Sequence, residues 1–255
     1  GRNCIITYTA NAAGSSWPAA FFLLRGAHAV KKVVLIPDSF KGTLPSMRIC
    51  ELMAECVTRV FPGCEVRSIP VADGGEGVDA FLAAAGGERV EAEITGPWFE
   101  SCRAHYGLLE GGTTAVLEMA SAAGLPMVGE RRDPSGTTTY GVGELLLDAA
   151  ERGAGRLILG LGGSATNDGG CGAAAAAGVR FFDAAGRSFV PTGGTLADIA
   201  RIDVSGLSPA LRGVEITAMC DIDNPMFGEN GAAFVFGPQK GADPEMVERL
   251  DAGLR

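Results

Sequence analysis

A chain of 255 residues can bury a sizeable core, as one domain or two. Its 47% apolar and 20% charged residues exclude a mostly disordered or fibrous protein. The net charge of −9, with no block rich in lysine or arginine, argues against a nucleic-acid partner. No apolar run approaches the ~18 residues of a membrane helix.

The chain begins with Gly1. A short apolar stretch at 17–24 is followed by Arg25 and by Ala27-His28-Ala29, which resembles a signal-peptide cleavage site. Against that reading, the leading region holds only Arg2, and Arg25 interrupts the approach to the site. The alternative, taken here, is that residues 1–30 are a non-native or unstructured extension.

Residues 33–36 are a β-branched run that predicts a buried parallel strand, followed by the polar loop Pro37-Asp38-Ser39-Phe40-Lys41-Gly42. Met47, Cys50, Met53, Val57 and Val60 fall at helical spacing and predict a core-facing stripe that ends at Pro62-Gly63. A strand over 65–71, the loop Ala72-Asp73-Gly74-Gly75-Glu76-Gly77 and a helix over 78–85 follow. This β-loop-α order is that of a parallel sheet. From 89 to 119 the pattern alternates, with further strand-like runs at 104–108 and 115–119, and predicts antiparallel structure in a new domain or sheet. A helix over 137–151 carries an apolar face of Leu145, Leu146 and Ala149.

The strand 157–159 then enters Gly160-Leu161-Gly162-Gly163-Ser164-Ala165-Thr166-Asn167-Asp168-Gly169-Gly170, and an alanine run at 173–177 leaves it as a helix. Five glycines lie in these eleven residues, together with two hydroxyls, an amide and a carboxylate. Glycine lets backbone approach an anion closely, and helix-start amides favour negative charge, so the loop predicts a phosphate or carboxylate cradle. Strands are expected at 179–182, with a turn at 184–186, at 215–219 and at 234–236. Asp243-Pro244 predicts a capped helix start. No internal repeat is present.

The seven cysteines are odd in number and include no Cys-x-x-Cys pair, which points to a reducing compartment, the cytoplasm, and to inert thiols. Two histidines argue against a histidine metal site or a His-centred triad. Four further loops carry polar groups at predicted strand ends: Asp38/Ser39/Lys41, Asp73/Glu76, Asp221/Asp223/Asn224 and Gln239/Lys240. In open α/β sheets ligands bind there. Singly, each has a plain structural reading: a helix cap for Asp38 or Asp73, a turn and cap for Asn167-Asp168, an Asx-turn before Pro225, solvated lysines for Lys41 and Lys240. Together they fit phosphoryl transfer, which needs backbone donors and lysine for phosphates, carboxylates for Mg²⁺, and a carboxylate to take the acceptor's proton.

The standard P-loop motif Gly-x-x-x-x-Gly-Lys-[Ser/Thr] is absent. Gly160-x-Gly162-x-x-Ala165 matches the dinucleotide fingerprint, with Asp183 as a ribose-binding acid, so an NAD(P)-dependent oxidoreductase is a rival reading. Against it, Thr166 to Gly170 delay the helix and set a carboxylate beside the pyrophosphate. The loop is also similar to the phosphate loop of galactokinase- and homoserine-kinase-type enzymes, without the proline expected before it.

Taken together, Pro37-Asp38-Ser39-Phe40-Lys41, Val71 to Gly77, Thr137-Thr138-Thr139-Tyr140-Gly141-x-Gly143-Glu144-Leu145, the glycine loop, Cys220-Asp221-x-x-Asn224-Pro225 and Phe236-Gly237-Pro238-Gln239-Lys240-Gly241 resemble the glycerate kinase family of the bacterial type. The resemblance runs from about Val33 to the end. It implies ATP- and Mg²⁺-dependent phosphorylation of D-glycerate, at the 2-hydroxyl. It also implies two α/β domains: a flavodoxin/Rossmann-like parallel-sheet domain, begun by 31–88, and a mixed-sheet domain, 89–255, inserted in it, with the site in the cleft between them. The family continues past Arg255, so the chain reads as partial, and an inactive kinase fragment is a further alternative. The expected base is Asp168, with Asp73 second. Amides of Gly162, Gly163 and Ser164, with a lysine, are expected to hold phosphate or the substrate carboxylate. Asp38 and Asp221 are candidates for Mg²⁺ or substrate. Lys41 and Lys240 neutralise transferring charge. Ser39, Gly74, Gly75, Glu76, Thr166, Asn167 and Asn224 complete the expected set. The oligomeric state is not legible in the sequence.

Overall fold

The structure, a computed structural model, describes residues 30–37, 43–69, 82, 85–220 and 222–255. The chain divides into two compact units, Gly1–Ala72 and Asp73–Arg255.

In the first unit β1 (Lys32–Leu35) pairs in parallel with β2 (Glu65–Ser68), Val33 opposite Val66, and α1 (Ser46–Val60) connects them. The helix stops at Phe61, whose N–H donates to the Val57 carbonyl, and the chain reverses through Gly63 at φ +80°. Val33, Leu35, Ile49 and Cys50 are buried. The predicted stripe is only partly core: Cys50 is buried, whereas Met47, Met53 and Val60 are exposed. Two described strands offer little surface to cover a helix of four turns. The second glycine loop, Asp73 to Gly77, and the Asp38/Ser39/Lys41 loop lie outside the described residues.

The second unit is built on a five-stranded mixed sheet ordered β10-β6-β5-β4-β3. Its strands are β3 (Glu88–Thr95), β4 (Ser101–Leu109), β5 (Thr114–Glu118), β6 (Arg156–Gly160) and β10 (Glu215–Met219). β3, β4 and β5 run antiparallel in sequence, as the alternating pattern predicts, while β5, β6 and β10 are mutually parallel. β5 is buried along its length because it has strands on both sides. Two four-residue helices, α2 (Ala120–Ala123) and α3 (Leu125–Val128), and then α4 (Tyr140–Glu151) carry the chain from β5 to β6. On α4, Val142, Leu145, Leu146 and Ala149 repeat at helical spacing, and all are buried against Val90, Ile94, Ala104, Tyr106, Ala115, Leu117 and Leu157 of the sheet. The helix begins at Tyr140 rather than Thr137, because Thr137 and Thr139 bind the glycine loop and the Thr138 N–H donates to Pro97 O.

After β6 comes α5 (Cys171–Ala176), then a small sheet ordered β8-β7-β9 from β7 (Arg180–Phe182), β8 (Ser188–Phe189) and β9 (Arg201–Asp203). The expected strand at 234–236 is instead the end of a helix, α6 (Ala232–Phe236). Its apolar run is too short to fix a period, and Ala233 is drawn into a cluster with Ala242, Val247 and Leu250. Leu250 and Val247 belong to α7 (Pro244–Leu254), capped as predicted: Asp243 accepts the Met246 N–H at 2.8 Å, with Pro244 in the first turn.

Candidate active site

The three parallel strands end level with one another, Glu118 and Met219 both opposite Gly160. The Met119 N–H donates to Gly160 O and the Leu161 N–H to Met219 O, so the loops after β5, β6 and β10 leave from one sheet edge. There the glycine loop is stitched to the α2–α3 junction. Ala165 N–H donates to Ala123 O at 2.8 Å, and Leu125 N–H to Gly163 O at 2.9 Å. Gly163 takes φ +73°, which turns the chain between these anchors. The N–H groups of Gly162, Gly163 and Ser164 find no acceptor among the described residues, and Gly163 is exposed.

Lys240 closes over this turn. It lies in a 3₁₀ turn, Pro238–Lys240, following a helix rather than at the strand end expected for it. Arg132 pins that turn through Nη1 to the Gln239 carbonyl, 3.2 Å. Lys240 is 9% exposed, and its ammonium donates to Ser164 Oγ at 3.0 Å and to Thr166 O at 2.6 Å. Burial pulls its pKa down to about 8, while the Asp168 carboxylate pulls the other way. Thr166 and Asn167 are buried, and Asn167 Nδ2 has no hydrogen-bond partner among the described residues.

Asp168 is 1% exposed. Its Oδ2 accepts the Thr139 N–H and Thr139 Oγ1–H, both at 2.8 Å, and the Gly172 N–H at 3.2 Å; its Oδ1 accepts the Gly170 N–H at 3.1 Å. Burial raises the carboxyl above its ordinary range, and these donors oppose that rise. The same neighbourhood pushes the Cys171 thiol up to about 11, first by burial and then by the Asp168 charge, which makes it a poor nucleophile.

One expectation changes here. The start of α5 is not an open anion cradle, because the Gly170 and Gly172 amides are spent on Asp168 and the Ala173 amide on Thr139 Oγ1. Asp168, expected as the base, is buried, its Oδ2 accepting three donors of its own chain and its Oδ1 one. It anchors the loop to the start of α4. Thr139 is the residue that sequence reasoning passed over. It donates twice to Asp168 and accepts from Ala173, while Thr137 Oγ1 donates to Ala165 O at 2.9 Å. Three consecutive threonines before an apolar helix were the available signal.

Of the other expected residues, Asp38, Ser39, Lys41, Asp73, Gly74, Gly75, Glu76 and Asp221 lie outside the described residues. Asn224 spends its Nδ2 on the Asn230 carbonyl, 2.9 Å, shaping its own loop. Among the described residues no group of three or more His, Cys, Asp or Glu could hold a metal ion. Asp168, buried and surrounded by N–H and O–H donors, does not suit a cation. The rival dinucleotide reading loses its ribose acid: Asp183 accepts the Ala185 and Arg187 N–H groups and pairs with the Arg187 guanidinium, which fixes the β7–β8 turn. Helix α5 also starts only at Cys171, well past Ala165.

A family model described as the glycerate kinase family matches residues 33–255. Glycerate kinase of Bacillus subtilis (strain 168) is 48% identical over 225 residues, covering 88% of this chain and 59% of that protein. Glycerate 2-kinase of Escherichia coli (strain K12) is 45% identical over 225 residues, covering 88% and 59%. The crystal structure of a protein assigned as glycerate kinase 2 from Salmonella typhimurium LT2 matches with a TM-score of 0.77 and 43% identity, over 88% of this chain and 61% of that one. The chain thus spans about three-fifths of the length of the curated relatives it matches.

Proposed function

The chain belongs to the glycerate kinase family, and on that premise we propose that the protein transfers the γ-phosphoryl group of ATP to the 2-hydroxyl of D-glycerate, giving 2-phosphoglycerate and ADP. The observation that carries the reading is the turn at Gly162–Ser164: three N–H groups unengaged among the described residues and a buried ammonium, at the carboxyl edge of three parallel strands. Such a cluster binds an anionic group, and both substrates are anions.

In the reaction the glycerate hydroxyl oxygen bonds to the γ-phosphorus. The bond from that phosphorus to the β–γ bridging oxygen breaks, and ADP departs with the electron pair. The hydroxyl proton passes to a carboxylate. We assign that carboxylate to Asp73 rather than Asp168, which is buried and accepts four hydrogen bonds from its own chain. Lys41 offsets charge on the transferring group. Mg²⁺ belongs to this chemistry as the partner of the nucleotide phosphates. The described carboxylates form no set for it, and Asp38 and Asp221 are its proposed ligands. Residues 89–255 form the inserted domain in this reading, and the cytoplasm is the proposed location. No helix among the described residues is long and apolar enough to cross a membrane.

The test is a coupled ADP-release assay with D-glycerate, the product identified by phosphorus NMR. ADP release that depends on D-glycerate supports the reading. Its absence, with nicotinamide fluorescence changing on titration, would replace it with the oxidoreductase.

A further inference from the structure

The donors at the glycine turn are many, but the positive charge is small. An ammonium has three N–H donors; Lys240 gives one to Ser164 Oγ and one to Thr166 O, which leaves one. Because Ser164 Oγ accepts from Lys240, its own proton is free to be donated outward. Asn167, next after the carbonyl that holds Lys240, carries a buried Nδ2 with no acceptor among the described residues. Buried polar atoms are nearly always paired, so an orphan donor beside an anion-binding turn marks a missing acceptor. The main-chain N–H groups of Gly162, Gly163 and Ser164 add three more donors.

Against these donors stands one cation among the described residues, Lys240. The guanidinium of Arg132, the basic group next in the same turn contacts, is turned onto the Gly129 and Gln239 carbonyls. The Lys240 charge is itself opposed by buried Asp168, and it is partly lost near pH 8. A nucleotide's phosphates bring several negative charges and call for several cations. A carboxylate brings one charge and four lone-pair sites, which neutral donors and a single ammonium can fill.

Resting on the kinase reading, we infer that the turn Gly162–Ser164, with Lys240 and Asn167, is the receptor for the carboxylate of the small hydroxy acid and not for a phosphate of the nucleotide. Specificity then follows from chemistry. A polyol without the carboxylate leaves the buried donors unpaired and is rejected.

The test is calorimetric titration of the purified protein, separately with D-glycerate, ATP and glycerol, in the wild type, Ser164→Ala, Asn167→Ala and Lys240→Met. Ser164→Ala removes a single partly buried oxygen, so it keeps the test usable if Lys240→Met fails to fold. D-glycerate affinity is expected to fall about tenfold or more in Ser164→Ala and Asn167→Ala, with ATP affinity held within about twofold. Glycerol binding should be weak and indifferent to all three changes. Loss of ATP affinity with D-glycerate binding intact overturns the assignment, as does D-glycerate binding that ignores all three substitutions or is absent from the wild type. The two readings fail separately. A protein that binds D-glycerate through these residues yet releases no ADP refutes the kinase and keeps the receptor. One that turns over glycerate while the variants weaken only ATP does the reverse.

Discussion

Replacing Asp168 with alanine removes the acceptor of four hydrogen bonds at once. The Thr139 hydroxyl can rotate to another acceptor, and the Gly170 N–H is half-buried and can reach water. The Thr139 and Gly172 amides are buried and cannot. Each buried N–H left without a partner costs about 1–3 kcal/mol. Removing a carboxylate that burial already disfavours returns part of this, because its raised pKa reports a charge uncomfortable in the folded state. The net expectation for Asp168→Ala is a loss of about 2–4 kcal/mol. Asp168→Asn is expected to lose about 1 kcal/mol, since its amide oxygen can face the Thr139 and Gly172 donors while its amino group opposes only the Gly170 N–H. Urea denaturation of both variants reads these losses as a lowered midpoint at constant slope. The opposite pattern refutes the anchoring role. If Asp168→Ala unfolds within about 0.5 kcal/mol of the wild type while kcat collapses, the carboxylate acts on the substrate, and the base expected from the sequence is restored.

Other outcomes follow from the same contacts. Lys240, held at a pKa of about 8 in the fold against an ordinary 10.5, binds fewer protons folded than unfolded between those values. Stability should therefore rise with pH from about 8 to 10.5, by on the order of 3 kcal/mol, and that rise should vanish in Lys240→Met; a flat profile in the wild type would contradict the burial. Gly143→Ala sets a methyl group against the Ala173 carbonyl oxygen and the Ala176 side chain, where α4 crosses α5. Melting should show a loss of about 1–3 kcal/mol, and an unchanged melting point would mean that the helices can part at no cost. Thr139→Ser keeps the hydroxyl that binds Asp168 and Ala173 and should melt near the wild type, whereas Thr139→Val should lose about 1–3 kcal/mol. Equal melting of the two would show that the hydroxyl carries nothing. Tyr106→Phe strips the 2.7 Å bond to Asp148 and should cost about 1 kcal/mol in the same assay.

Much of this protein was readable one segment at a time. The parallel opening, the alternating strands of 89–119, the apolar face of α4 and the Asp243-Pro244 cap depend on neighbours a few residues apart, and period and capping chemistry report those directly. The family was legible too, because it rests on runs of residue identity. What only the tertiary structure decided depends on partners far along the chain. Asp168 reads locally as a reactive carboxylate, yet its donors include Thr139, 29 positions before it. Lys240 reads as a surface lysine, yet its ammonium is drawn inside by Ser164 and Thr166, 76 and 74 positions away. The run 234–236 has strand-forming residues, yet packing of Ala233 against α7 makes it helical. A sequence fixes which groups can donate, accept or carry charge. Whether a group is free to act is set by how many of its valences the fold has already filled. At the glycine loop that accounting leaves Asp168 committed, and leaves the turn at Gly162–Ser164, with the orphan amide of Asn167, open.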